Sequence, residues 1–182
     1  ERRDPSSSDW LTHRHDPARS GSTSTVVPKT LSQQWSAQVQ GKPTGCVVGE
    51  GVVLVASIDT HRVHAFDQTT GEPAWTVTLG GPMDSPPTIH DGTALCGCLD
   101  GWVYCLRLSD GEQIWRFRAA PEERRIVAYG RLESAWPVHG GILVQDDKAY
   151  FTAGRSSCLD GGIYAYCLDL NTCEVIEEKC LS

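Results

Sequence analysis

Ala65-Phe66-Asp67-Gln68-Thr69-Thr70-Gly71-Glu72-Pro73-Ala74-Trp75 and Cys105-Leu106-Arg107-Leu108-Ser109-Asp110-Gly111-Glu112-Gln113-Ile114-Trp115 align with Gly, Glu and Trp in register at a shift of 40 residues. Upstream, Val53-Leu54-Val55-Ala56-Ser57-Ile58-Asp59 matches Ala94-Leu95-Cys96-Gly97-Cys98-Leu99-Asp100 at a shift of 41, so one residue separates the two copies in a loop. A third copy starts at Asp147. In it Tyr166-Cys167-Leu168-Asp169 and Asn171-Thr172-Cys173-Glu174 keep the order, but Cys173 replaces the glycine and Glu177 the tryptophan. The end of an earlier copy survives as Gln34-Trp35-Ser36-Ala37-Gln38-Val39, with Trp35 lying 40 residues before Trp75. Self-similarity at this period is the signature of a repeat architecture.

Each repeat holds four short β-type runs, as in Pro87-Thr88-Ile89-His90, Thr93 to Cys98, Trp102 to Leu108, and Gln113 to Ala119. Four antiparallel strands per unit at this spacing predict blades of a β-propeller. A β-sandwich would fit the strands singly but gives no reason for the period. The fold expected is all-β: a partial β-propeller of about three four-stranded antiparallel blades plus a remnant. Its parts are an N-terminal arm with the end of a preceding blade (1–40), blades at 41–79 and 80–120, an inserted loop at 121–140, and a degenerate blade at 141–182. Asp91-Gly92 and Glu50-Gly51 break the first and second strands. Asp100-Gly101 is read as a two-residue type I′ turn between the second and third.

Composition agrees. The 182 residues are one domain's worth of chain, 40% of them hydrophobic, punctuated by 18 Gly and 10 Pro. A formal net charge of −7 leaves no basic face for nucleic acid or an anionic membrane. No apolar run approaches the ~18 residues of a membrane span, and no n-region and h-region of a signal peptide is visible in the chain. The start reads as cut.

Ala65, Asp67, Thr70, Gly71 and Trp75 together resemble the tryptophan-docking motif of the quinoprotein alcohol dehydrogenase-like family and its non-enzymatic relatives with pyrroloquinoline-quinone (PQQ)-like repeats. The resemblance implies a structural role, in which Trp75 and Trp115 pack across to a neighbouring blade. The second copy keeps Gly111 and Trp115 but departs at Cys105 and Arg107. The third loses both Gly and Trp, so docking is expected to weaken towards the C-terminus. A wider resemblance covers Asp9-Trp10 through Ser20-Gly21, Trp102 to Arg107, Glu133-Ser134-Ala135-Trp136-Pro137-Val138-His139-Gly140, and Ala153-Gly154-Arg155-Ser156-Ser157. These stretches are similar to large bacterial PQQ-like repeat proteins, many from planctomycetes. A closed ring takes typically about 4 to 8 blades, so the chain is expected to be a fragment of such a protein. Open blade edges would invite further blades or self-association.

The resemblance also implies a competing reading, a quinoprotein dehydrogenase holding PQQ and Ca²⁺ on the propeller axis. Family enzymes generally carry an adjacent Cys-Cys pair beside the quinone, and no two of the eight cysteines here are adjacent. Asp59, Asp67, Asp91, Asp100, Asp110 and Asp169 all sit at turns, which explains them without calcium. No catalytic, cofactor-binding or metal residue is assigned.

Two clusters remain. A two-residue Asp100-Gly101 loop would set Cys96 across from Cys105 with Cys98 on the same face, giving a cross-strand thiol pair, a disulfide, a metal site completed by His90 or His64, or plain buried hydrophobes. Thr12-His13-Arg14-His15-Asp16 has metal-ligand residue types but lies in a polar segment that reads as an arm or partial strand. The insertion, from Pro121-Glu122-Glu123-Arg124-Arg125 to Gly140, is the segment offered as a binding surface. The sequence thus points to a non-catalytic module for protein interaction or scaffolding, extracytoplasmic, with a protein partner and no cofactor.

Overall fold

The computed structural model describes residues 9–182 and contains three four-stranded antiparallel sheets and one hairpin. The first blade is β1 (Pro43–Gly49), β2 (Val52–Ser57), β3 (Arg62–Asp67) and β4 (Pro73–Thr78). The second is β5 (Thr88–His90), β6 (Thr93–Gly97), β7 (Trp102–Arg107) and β8 (Gln113–Arg118). The insertion forms a hairpin, β9 (Arg125–Ala128) and β10 (Arg131–Ser134). The third blade is β11 (Leu143–Gln145), β12 (Lys148–Ala153), β13 (Ile163–Asp169) and β14 (Val175–Leu181). Each blade runs in sequence order from its first to its fourth strand, and the first strands β1, β5 and β11 approach one another across blades. This is a partial propeller whose first strands line the axis side.

Local chemistry sets the turns. Glu50-Gly51, Asp91-Gly92 and Asp146-Asp147 join the first two strands of the three blades, and both residues of each pair have positive φ, as a type I′ turn requires. The turn between third and fourth strands is built by Asp67, whose Oδ1 accepts the Thr69 and Thr70 amides and the Thr70 hydroxyl. Asp169 repeats it on Asn171 and Thr172. In the second blade Arg107 stands at this position, and Asp110 holds the turn instead, through the Glu112 amide and the Arg107 guanidinium.

Alternating side chains form two cores between blades. Val47, Leu54, Ala56, Val63 and Ala65 of the first blade meet Cys96, Tyr104 and Leu106 of the second. Leu95, Val103 and Cys105, on the opposite face of the second blade, meet Phe151, Tyr166 and Leu168 of the third, with Ala135, Trp136 and Val138 of the insertion packed among them. Phe151 and Tyr166 stack there at 5.5 Å between ring centroids, and Phe117 meets both edge-on at 5.9 and 5.3 Å.

The register between β6 and β7 corrects one expectation. Leu95 pairs with Cys105 and Cys96 with Tyr104, one residue off the alignment that Asp100-Gly101 alone would give. A one-residue slip reverses the faces, so Cys96 lies in the first core and Cys105 in the second. Contacts within the hairpin and one from outside it hold this register. The Asp100 carboxylate accepts the Trp102 amide and, at 2.6 Å, the Tyr104 hydroxyl, while the Cys98 thiol donates to the Gly81 carbonyl. Residues 98–101 are drawn into a longer turn, closed by Cys98 N–H to the Trp102 carbonyl and Gly101 N–H to the Cys98 carbonyl. The convergent three-thiol cluster does not form.

Candidate functional site

The docking tryptophans repeat one geometry. The Trp35 indole N–H donates to the Gln68 carbonyl and that of Trp75 to the Leu108 carbonyl, at 3.0 and 2.8 Å. Each ring lies flat over the glycine three residues further on, Gly71 or Gly111, where a Cβ would overlap the indole. Both glycines also have positive φ, 73° and 75°. Trp35 does this without belonging to a strand. The third dock is altered. Trp115 faces Leu170 and Asn171 across a cleft of about 160 Å³, and Cys173 holds the glycine's position with φ 59°.

A different tryptophan clamps this blade. Trp136, which the repeat alignment does not include, donates its N–H to the Asp160 carbonyl at 2.8 Å. The Arg124 guanidinium stacks 4.7 Å above its ring and pairs with Asp160. Beside it Glu133, 3% exposed, is paired with Arg155. The inserted segment is therefore anchored at its root, while the hairpin itself projects. Val127 and Leu132 are direct cross-strand partners on one face, 78% and 56% exposed, and Tyr129 at the turn is 89% exposed. Arg125, two residues before Val127 on β9, shares their face.

Beyond the third blade the pattern stops. Glu177 stands opposite Cys167 and Lys179 opposite Ala165, where Trp75 and Val77 stand opposite Ala65 and Val63 in the first blade. β14 presents no docking tryptophan, and this outer face carries charge.

The N-terminal arm crosses the axis side. Trp10 exchanges backbone hydrogen bonds with Val48 of β1, and the Leu11 carbonyl accepts the Ile89 amide of β5. Thr12 and Thr88 hydroxyls meet at 3.0 Å, Thr88 donates onward to the Ile142 carbonyl, and Arg19 reaches the Gly141 carbonyl. The arm thus ties together β1, β5 and the segment that leads into β11. The sequence signals here were the resemblance over Asp9-Trp10 through Ser20-Gly21 and the reading of the polar segment as an arm or partial strand. His15 sits edge-on to Trp10 rather than in a metal cluster, and no group of three His, Cys, Asp or Glu able to hold a metal occurs among the described residues. Two further cross-blade links follow the same edge: the Glu50 carboxylate accepts the Gly92 amide, and His90 Nε2 lies 2.9 Å from Asp147 Oδ1.

Between arm and blades lies a cleft of about 500 Å³. Its apolar walls are Leu11, Pro17, Ile89 and Val144, and its carboxylates are Asp9, Asp16 and Asp146. The Asp16 carboxyl is held below the usual range by hydrogen bonds from the Ser20 hydroxyl and amide.

Comparison with known proteins places this architecture. Residues 19–150 match the sequence model of a family described as outer membrane protein assembly factor BamB, built from PQQ-like repeats. The chain belongs to this family. It is 26% identical over 110 residues to the outer membrane protein assembly factor BamB of Burkholderia pseudomallei (strain K96243), covering 59% of this chain and 29% of that protein. To the BamB of Moranella endobia (strain PCIT) it is 32% identical over 96 residues, 50% of this chain and 24% of that one. The chain spans less than a third of the length of these BamB relatives. Among solved structures, quinohemoprotein alcohol dehydrogenase ADHIIG from Pseudomonas putida HK5 superimposes with a TM-score of 0.77 at 14% identity, over 96% of this chain and 27% of that one. That likeness shows the propeller fold alone.

PQQ is a tricarboxylate; among the described residues the axis-side cleft is lined by Asp9, Asp16 and Asp146 together with His15 and His90, and by no arginine or lysine.

Proposed function

We propose that the chain is a non-catalytic PQQ-like propeller module for protein interaction or scaffolding in an extracytoplasmic assembly. One observation carries the reading: the inserted hairpin holds Val127, Leu132 and Tyr129 in solvent on a root locked by Trp136 and the Glu133–Arg155 pair. A lone two-stranded hairpin is marginal in water, and an aromatic at its tip beside a cross-strand apolar pair, rimmed by arginine, has the composition of an interface core. The names of the BamB relatives, outer membrane protein assembly factors, support both an assembly role and an extracytoplasmic location. Among the described residues no helix is long and apolar enough to cross a membrane.

The test is site-specific photocrosslinking in the native host, with the crosslinker at Tyr129 and, as control, at Gln38. A discrete adduct from 129 and none from 38 is expected. An absorbance change on adding PQQ with Ca²⁺, followed by alcohol-dependent dye reduction, would instead establish the dehydrogenase reading.

A further inference from the structure

We infer that the slot between β1 and β5 is a docking site for an extended segment of a partner protein bearing an aliphatic side chain, and that the N-terminal arm fills it in cis. This surface is separate from the inserted hairpin, so the inference goes beyond the reading above.

The backbone is the first ground. β1 and β5 are the edge strands of their sheets. An extended chain turns successive N–H and C=O groups to opposite sides, and the arm uses both. Trp10 exchanges two backbone hydrogen bonds with Val48 on one side, while the Leu11 carbonyl accepts the Ile89 amide on the other. One extended segment thereby satisfies two sheet edges at once. Main-chain pairing of this kind is how exposed edges recognise peptides, and side-chain pockets then select the sequence.

The second ground is a socket shaped for Leu11. A Cβ on Gly49 would lie 2.2 Å from Leu11 Cδ2. The backbone does not require glycine there, because Gly49 pairs with Val52 in the β1–β2 ladder and has no positive φ. What the glycine supplies is room for an aliphatic side chain, which packs on the first inter-blade core. One residue on, the Thr12 hydroxyl meets that of Thr88, so a hydroxyl-bearing neighbour also fits.

The arm is also placed to leave. Its link to β1 is a single bridge, Arg19 adds one bond to the Gly141 carbonyl, and residues 20–34 that join it to the first blade are exposed throughout. Segments with few buried contacts are the ones that open locally. Tethered, the arm holds the slot at a high effective concentration, and so acts as an autoinhibitory occupant that a competing segment must displace.

The experiment is an NMR titration of the full chain with the blocked peptide Asp-Trp-Leu-Thr-His, and with a counterpart carrying serine for leucine, reading the Val48 and Ile89 amides. Leu11→Ser empties the socket in cis and should bind the leucine peptide at least about tenfold more tightly than the unaltered chain, because the tethered competitor is weakened. Gly49→Ala also expels the arm but closes the socket, and should show no saturable shift. The blade itself accepts that methyl, since beyond Leu11 its nearest neighbour is Ile89 Cδ1 at 3.7 Å. A purely structural arm would make the two variants behave alike. Binding by Leu11→Ser no tighter than by the unaltered chain, saturable binding by Gly49→Ala, equal binding of the serine peptide, or loss of β circular dichroism in Leu11→Ser would each overturn the inference.

Discussion

Trp75 and Gly111 belong to different blades, yet the indole lies so close over the glycine that a Cβ added there would sit 2.5 Å from the ring. The same indole donates to the Leu108 carbonyl, so one side chain closes both an apolar contact and a backbone acceptor of its neighbour. Gly111→Ala meets the overlap and a positive φ together, and should cost at least ~2 kcal/mol. Trp75→Ala should cost ~3 to 5 kcal/mol. Urea unfolding followed by tryptophan-independent far-UV circular dichroism would measure both.

Cys173 occupies the corresponding position in the third blade with φ 59°. A side chain there is strained, and glycine would be relieved of that strain. Cys173→Gly is expected to raise stability by up to ~1 kcal/mol, whereas Gly71→Ala at the equivalent first-blade position lowers it. A fall in the denaturation midpoint of the Cys173 variant would show that its thiol contributes more packing than its backbone costs.

The Glu133–Arg155 pair roots the insertion, with side chains 3% and 15% exposed. Removing one partner leaves the other's charge uncompensated in a poorly hydrated place. Arg155→Met should destabilise by ~3 kcal/mol, and Glu133→Gln with Arg155→Met together by less than the sum. A double-mutant cycle with no coupling would mean the pair contributes nothing to anchoring.

Burial pushes the thiol of Cys105 up to about 11 and holds those of Cys96 and Cys98 well above the ordinary thiol range. Cys46, Cys158 and Cys180 are exposed. At pH 8 a thiol reagent should therefore modify those three within minutes, and Cys96, Cys98 and Cys105 only once denaturant opens the two cores. Mass spectrometry of peptides from the early time points reads the pattern, and early labelling at Cys96 would mean the first inter-blade core opens readily.

Asp67 and Asp110 are held below their ordinary value of 3.8, chiefly by the backbone amides of Thr70 and Glu112. Their folded pKa values lie below the unfolded ones. Their stabilisation is thus present above the unfolded value and is lost as pH falls through the folded one. Melting temperature should be insensitive to these groups near neutrality and drop below pH 3.8. Asp67→Asn should flatten part of that drop.

The repeats, their four-strand content and the strand breaks at Glu50-Gly51 and Asp91-Gly92 were legible in the sequence, because each depends on residues adjacent in the chain; that the breaks are type I′ turns came from the structure. The pairing of Trp75 with Gly111 was legible in kind but not in partner. Other features were not. Asp100-Gly101 carries a strong hairpin signal, yet Tyr104 and the Gly81 carbonyl pull residues 98–101 out of the two-residue turn and send Cys96 and Cys105 to opposite faces. The inserted segment, read as a loop, contains a hairpin turned at Tyr129-Gly130, and a tyrosine with φ 51° is no advertised turn former.

The sequence alone determined the blade, since a 40-residue period and alternating apolar residues act over one repeat. Only the tertiary structure decided where the non-repeating segments go. The arm across β1 and β5, the Trp136 clamp and the carboxylate-lined cleft join residues tens of positions apart, whose contacts exist only after the blades have stacked and carry no periodic trace in the chain.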